Sequence, residues 1–126
     1  MSSSLAGTGK SGDWEVDVDE NIDSSLYGLV INAKRFYLQI RDIDLAKIED
    51  LLRFLREPET SIRPFTLEGC FGGVIELVNG EKRLMLRIRE ARSALATNLF
   101  EVALKRTDRA QFAEALAQAI TETHEA

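Results

Sequence analysis

From Trp14 onward, apolar and polar residues alternate in short runs, interrupted twice by stretches with helical spacing. Trp14, Val16 and Val18 alternate with Glu15, Asp17 and Asp19, the period of two that a half-buried strand requires. Residues 26–42 read as a hairpin. With Asn32-Ala33 as its loop, Tyr27, Leu29 and Ile31 share a face with Phe36, Leu38 and Ile40. The other face then carries Gly28, Val30, Arg35, Tyr37, Gln39 and Arg41. Asn79-Gly80 is a preferred pair for a tight hairpin turn, and it predicts strands over 71–78 and 81–90, with Ile75 opposite Leu84 and Glu76 opposite Arg83. A further strand over 98–106 places Phe100, Val102 and Leu104 inward.

Two helices follow from the change to a spacing of three and four. Leu45, Ile48, Leu51, Leu52 and Leu55 form a core-facing stripe. Asp44 is suited to cap its start, and Glu57-Pro58 closes it, because the residue before proline is pushed out of helical geometry. The second helix starts at Thr107 or Asp108, where Asp108 and Gln111 have the spacing of a capping box. Its buried stripe is Phe112, Leu116, Ala119 and Ile120.

Residues 34–42 and 82–90 nearly repeat each other, matching at Lys, Arg, Leu, Ile and Arg. A second echo, offset by 64 residues, relates Phe36 to Phe100, Asp44 to Asp108 and Leu52 to Leu116. The two offsets cannot describe a single duplication, but both give the order strands, helix, strands, helix. That order predicts an α+β domain: an internally duplicated antiparallel sheet of two hairpin-plus-helix units, with both helices packed on one face. The units span 26–57 and 65–122 within one domain over 26–122. Residues 1–25 read as a flexible acidic leader, whose small polar beginning holds little apolar surface, with a short strand over 14–19.

At 126 residues, 44% of them hydrophobic and 29% charged, the chain has the composition of one globular domain. The net charge of −5 lies wholly in residues 1–25, where Asp13, Glu15, Asp17, Asp19, Glu20 and Asp23 face Lys10 alone. The remainder is neutral, so the acidic pI does not by itself argue against a nucleic-acid partner. A single cysteine, Cys70, excludes an internal disulfide. No apolar run approaches a membrane span, which points to a cytoplasmic protein with no membrane partner.

Candidate chemistry is sparse. Gly7-Thr-Gly-Lys-Ser11 has the ending of a phosphate-binding loop, but Ser4 stands where the first glycine is required. Residues 17–23 alternate oxygen ligands like a calcium loop, yet Ile22 and Gly28 occupy the positions of the turn glycine and the bidentate glutamate. The only histidine is His124, and Cys70 reads as a small core residue with no base to activate it. These patterns predict no enzyme, no cofactor, no metal and no small-molecule substrate.

What remains is the outer sheet face. If both hairpins share one sheet, Arg35, Tyr37 and Arg41 join Arg83, Met85, Arg87 and Arg89 there. Arginine with an aromatic on an open sheet suits base stacking and phosphate pairing. A protein partner using Tyr37, Val74 and Met85, including a second copy in a homodimer or an inhibitor-type contact, is the alternative reading. An ordinary solvated surface is the third.

Strands followed by a helix, given twice over 26–122, resemble PUR-repeat and Whirly-type single-stranded nucleic-acid-binding proteins. The closest local likeness is residues 100–120, an amphipathic strand running through a polar cap into an amphipathic helix. The resemblance implies stranded nucleic-acid binding by Arg35, Tyr37, Arg41, Arg83, Arg87 and Arg89. The short first unit and the scarcity of outer-face aromatics depart from that pattern.

Overall fold

The computed structural model describes residues 6–21, 23–34, 36–57, 64–68, 73–80, 83–90 and 98–125. Strands β1 (Ala6–Ser11), β2 (Trp14–Asn21), β3 (Leu26–Ala33) and β4 (Phe36–Ile43) precede helix α1 (Leu45–Arg56). Strands β5 (Phe65–Glu68), β6 (Gly73–Asn79), β7 (Leu84–Glu90) and β8 (Asn98–Leu104) precede helix α2 (Arg106–Glu125). The result is an α+β fold of two antiparallel four-stranded meanders, β1-β2-β3-β4 and β5-β6-β7-β8. The expected single sheet is therefore corrected: each hairpin belongs to a sheet of its own. Helix α2 lies mainly on β1 and β2, while α1 packs beside α2 and meets β3 and β5. Inner faces of both sheets and the buried stripes of both helices form one continuous core. No described helix is long and apolar enough to cross a membrane.

The acidic leader is also corrected. Residues 6–11 and 14–21 are strands β1 and β2, and Trp14, Val16 and Val18 are core residues. Their alternation was visible; what β1 needs was not, because its inward residues are Gly7 and Gly9. A Cβ at Gly7 would collide with the Ala119 carbonyl oxygen, and one at Gly9 with that of Ala115. Helix α2 turns its small Ala115 and Ala119 to this strip, so helix and strand backbones approach more closely than larger side chains would allow. Polar contacts continue the seam. Lys10 N donates to Gln118 Oε1 at 3.1 Å, and Ser11 and Glu114 side chains bond at 3.0 Å. At its start, the Trp14 and Phe112 rings stack at 4.7 Å and 13°. Burying side chains of this size stabilises by roughly 1.5–3 kcal/mol each.

Helix starts differ from expectation in detail. Asp44 occupies the N-cap of α1 but makes no side-chain capping bond. Asp108 lies inside the first turn of α2, where one carboxylate oxygen accepts from Lys105 N at 3.1 Å and the other from Trp14 Nε1 at 3.3 Å. Glu57 caps the end of α1 in extended geometry, ψ 157°, as a residue before proline should.

Both hairpins keep the expected faces and change register. Ala33 pairs with Phe36, Ile31 with Leu38 and Leu29 with Ile40, so the first turn falls two residues later than Asn32-Ala33. In the second, Ile75 pairs with Ile88 and Glu76 with Arg87, and the turn closes through Gly80 N donating to Arg83 O at 2.8 Å. Moving a turn by two residues leaves every side chain on its own face. Asn79 is instead engaged by Arg109 of α2.

Candidate functional site

The outer face of the first sheet can be followed row by row from the strand registers. One row runs Lys10, Glu15, Asn32, Tyr37; the next runs Thr8, Asp17, Val30, Gln39. In the third, Asp19 stands opposite Gly28, and Arg41 lies beyond it on β4. A bulge there, with Asp42 at φ 59°, adds one residue to β4 and returns Ile43 to the core. Tyr37, Gln39 and Arg41 thus project from one face of an edge strand, and all three are exposed. Tyr37, at 61% exposure, is the only large apolar side chain so displayed among the described residues. Beside them lies a shallow depression of about 280 Å³, whose lining includes Arg41 and Gln39 but also the carboxylates Asp19, Glu20 and Asp42.

Strand β2, on the far side of β3 from β4, is acidic. Glu15, Asp17 and Asp19 lie on this same face, so the negative charge assigned to a leader sits on the folded sheet. Thr8 Oγ1 donates to Asp17 Oδ1 at 2.7 Å. Partial burial, followed by the nearby Asp17, raises the Asp19 carboxyl above its ordinary value. At the strand end, Tyr27 donates its hydroxyl to Glu20 Oε2 at 3.1 Å; burial and this bond raise the phenol above its usual range.

The second sheet offers a different surface. Across β6, β7 and β8, Arg87 lies between two carboxylates, its Nε 2.6 Å from Glu101 and its Nη1 3.5 Å from Glu76. The Glu101 bond is the larger cause of a guanidinium pKa above its ordinary value. In the adjoining row, half-buried Met85 stands between Val78 and Ala103. Arg83 is exposed but belongs to the β6–β7 turn, and Arg89 of β7 pairs with Val74 of β6.

The single platform expected from the sequence is consequently divided. Tyr37 and Arg41 share a face of the first sheet; Met85 and Arg87 belong to the second, with Arg83 in its turn. Arg35 and Cys70 fall outside the described residues. Sequence reasoning omitted Lys10 and Thr8 from the first face, since their strand is patterned by glycine rather than by large apolar residues. Among the described residues, no group of three potential metal-ligating side chains is present.

No protein-family model, curated protein or solved structure matches this chain.

Proposed function

We propose that the chain is a non-enzymatic binding module that takes up single-stranded nucleic acid along β4. Tyr37 stacks on a base, Arg41 pairs with a phosphate, and the Gln39 amide between them hydrogen-bonds the edge of a neighbouring base. The observation that carries this reading is the exposure of Tyr37 on an open sheet face, four residues from Arg41 on the same face of the same strand. Four antiparallel strands and then a helix, met twice, accord with the resemblance to PUR-repeat and Whirly-type proteins. The carboxylates of β2 repel phosphate and confine the ligand to the β4 side. Arg87, already paired with Glu76 and Glu101, contributes little.

Fluorescence anisotropy with short single-stranded DNA and RNA oligonucleotides tests this. Tyr37→Ala should weaken binding about tenfold, within the range of a base–aromatic stack. Arg41→Ala should reduce the salt slope by about one, while Arg87→Ala should bind like the wild type. Wild-type protein that binds neither oligonucleotide at low salt, or Tyr37→Ala binding unchanged, would overturn the proposal.

A further inference from the structure

The two edges of the first sheet are treated differently. Edge β1 is sealed by α2: Gly7 and Gly9 fit under the helix, and Gln118 accepts the Lys10 backbone N–H. The bond at Lys10 also fixes the phase of that hairpin. Ser11 and Trp14 close the turn as a hydrogen-bonded pair, so Lys10, one position back, directs its N–H away from β2. Ala33 and Phe36 close the β3–β4 turn in the same way. By the same alternation, Tyr37 and Gln39 direct their backbone N–H and C=O groups away from β3, toward the open side. Among the described residues, no side chain does for β4 what Gln118 does for β1. Nor does β4 carry a proline or lysine, the usual guards of an edge.

We infer that two copies of this chain pair through β4, antiparallel about Gln39, and that the pair completes the surface proposed above; its functional meaning rests on that reading. The strand is complementary to itself in this register. Gln39 meets Gln39 of the second copy through backbone and amide bonds, and Leu38 meets Ile40 on the inner face. On the outer face Tyr37 lies opposite Arg41 of the second copy, twice over, as a cation–π pair. A two-fold axis requires this reciprocity, with each contact made once in each direction. The bulge at Asp42 ends the pairing, because the strand beyond it turns inward. Joined in this way, two four-stranded sheets become one of eight strands. Two tyrosines and two arginines then gather at its centre. At the usual strand spacing of about 4.8 Å, the carboxylates of β2 are left on the order of 10 Å or more from the axis. Tyr37 of each copy then contributes to the pair of aromatics that a stacking platform uses.

Sedimentation velocity of the full chain over a wide concentration range tests the pairing. Wild type should approach twice the 14.1 kDa chain mass. Gln39→Lys or Gln39→Glu alone places like charges opposite each other and should weaken dimerisation about fivefold. An equimolar mixture of the two should restore it, because unlike charges then meet. Gln39→Pro removes an N–H on the open side only, so it should abolish the dimer while circular dichroism and melting remain those of a folded chain. A wild-type monomer at every concentration would overturn the pairing. So would a dimer indifferent to Gln39→Pro, or a mixture no tighter than either charged variant. A dimer that binds no oligonucleotide supports the pairing and rejects the nucleic-acid reading. A monomer that binds one rejects the pairing alone.

Discussion

Arg109 donates from Nη2 to the Phe54 carbonyl oxygen at 3.0 Å, and its guanidinium carbon lies 5.7 Å from the centroid of that residue's own ring. The same side chain donates to Leu55 O at 3.0 Å, Glu57 O at 3.2 Å and Asn79 Oδ1. A buried cation on α2 thus satisfies the final carbonyls of α1, the negative end of that helix, and ties them to the β6–β7 turn. Arg109→Ala should cost about 3 kcal/mol or more in urea unfolding, since several buried acceptors lose a charged donor together. Arg109→Lys should recover little, because one ammonium cannot span the fork of acceptors.

Gly9→Ala should destabilise by about 1–3 kcal/mol, toward the upper end, because the obstacle is a helix backbone oxygen that no rotamer change can clear. Thermal melting checks it, and Thr8→Ala on the opposite face is the control. Deleting residues 1–25 should abolish cooperative unfolding altogether, since it removes two strands and the core residues Trp14, Val16 and Val18.

Trp14 is the only tryptophan and is 2% exposed. Its native fluorescence should be blue-shifted and should move to the red in one step on unfolding. Phe112→Ala should cost roughly 3–5 kcal/mol and shift the native emission as well, because the stacked partner is lost.

Asp19 supplies a pH test. Its raised carboxyl value means that the fold disfavours the ionised form relative to the unfolded chain. The associated stability is fully present below the unfolded carboxylate value and is lost as pH rises through the folded value. Asp19→Asn should therefore stabilise the protein at neutral pH, by less than about 1 kcal/mol because the site is exposed. The gain should disappear in acid, as denaturant midpoints measured against pH would reveal.

Much of the fold was legible because alternation reports faces directly. Leu29, Ile31 and Ile40 in one sheet, and Ile75, Leu84 and Leu86 in the other, are buried as their pattern requires. Register was less legible, since a turn displaced by two residues preserves every face and leaves the pattern unchanged. Asn79-Gly80 does turn the chain, but from Gly80 onward, because Asn79 serves Arg109. The offset of 64 residues relates β4 to β8 and α1 to α2, in step with the order of elements; the more conspicuous nine-residue echo relates β4 to β7 and has no such correspondence. Strand β1 was hidden for a different reason. Its inward positions are glycines, which read as linker unless the alanines that need them, Ala115 and Ala119, are considered together with them. At the site, Tyr37 and Arg41 followed from alternation, whereas the partition into two sheets depends on pairings that no local pattern encodes.

The bond from Lys10 to Gln118 joins positions 108 residues apart. Closing so large a loop is entropically costly, and little of the seam between β1 and α2 can form before both ends of it are available. A ribosome-bound chain would hold β1 and β2 with an uncovered apolar side until the distant helix had been synthesised. Refolding should accordingly be slow for a protein of this size, and translation itself becomes the interval of greatest exposure to aggregation.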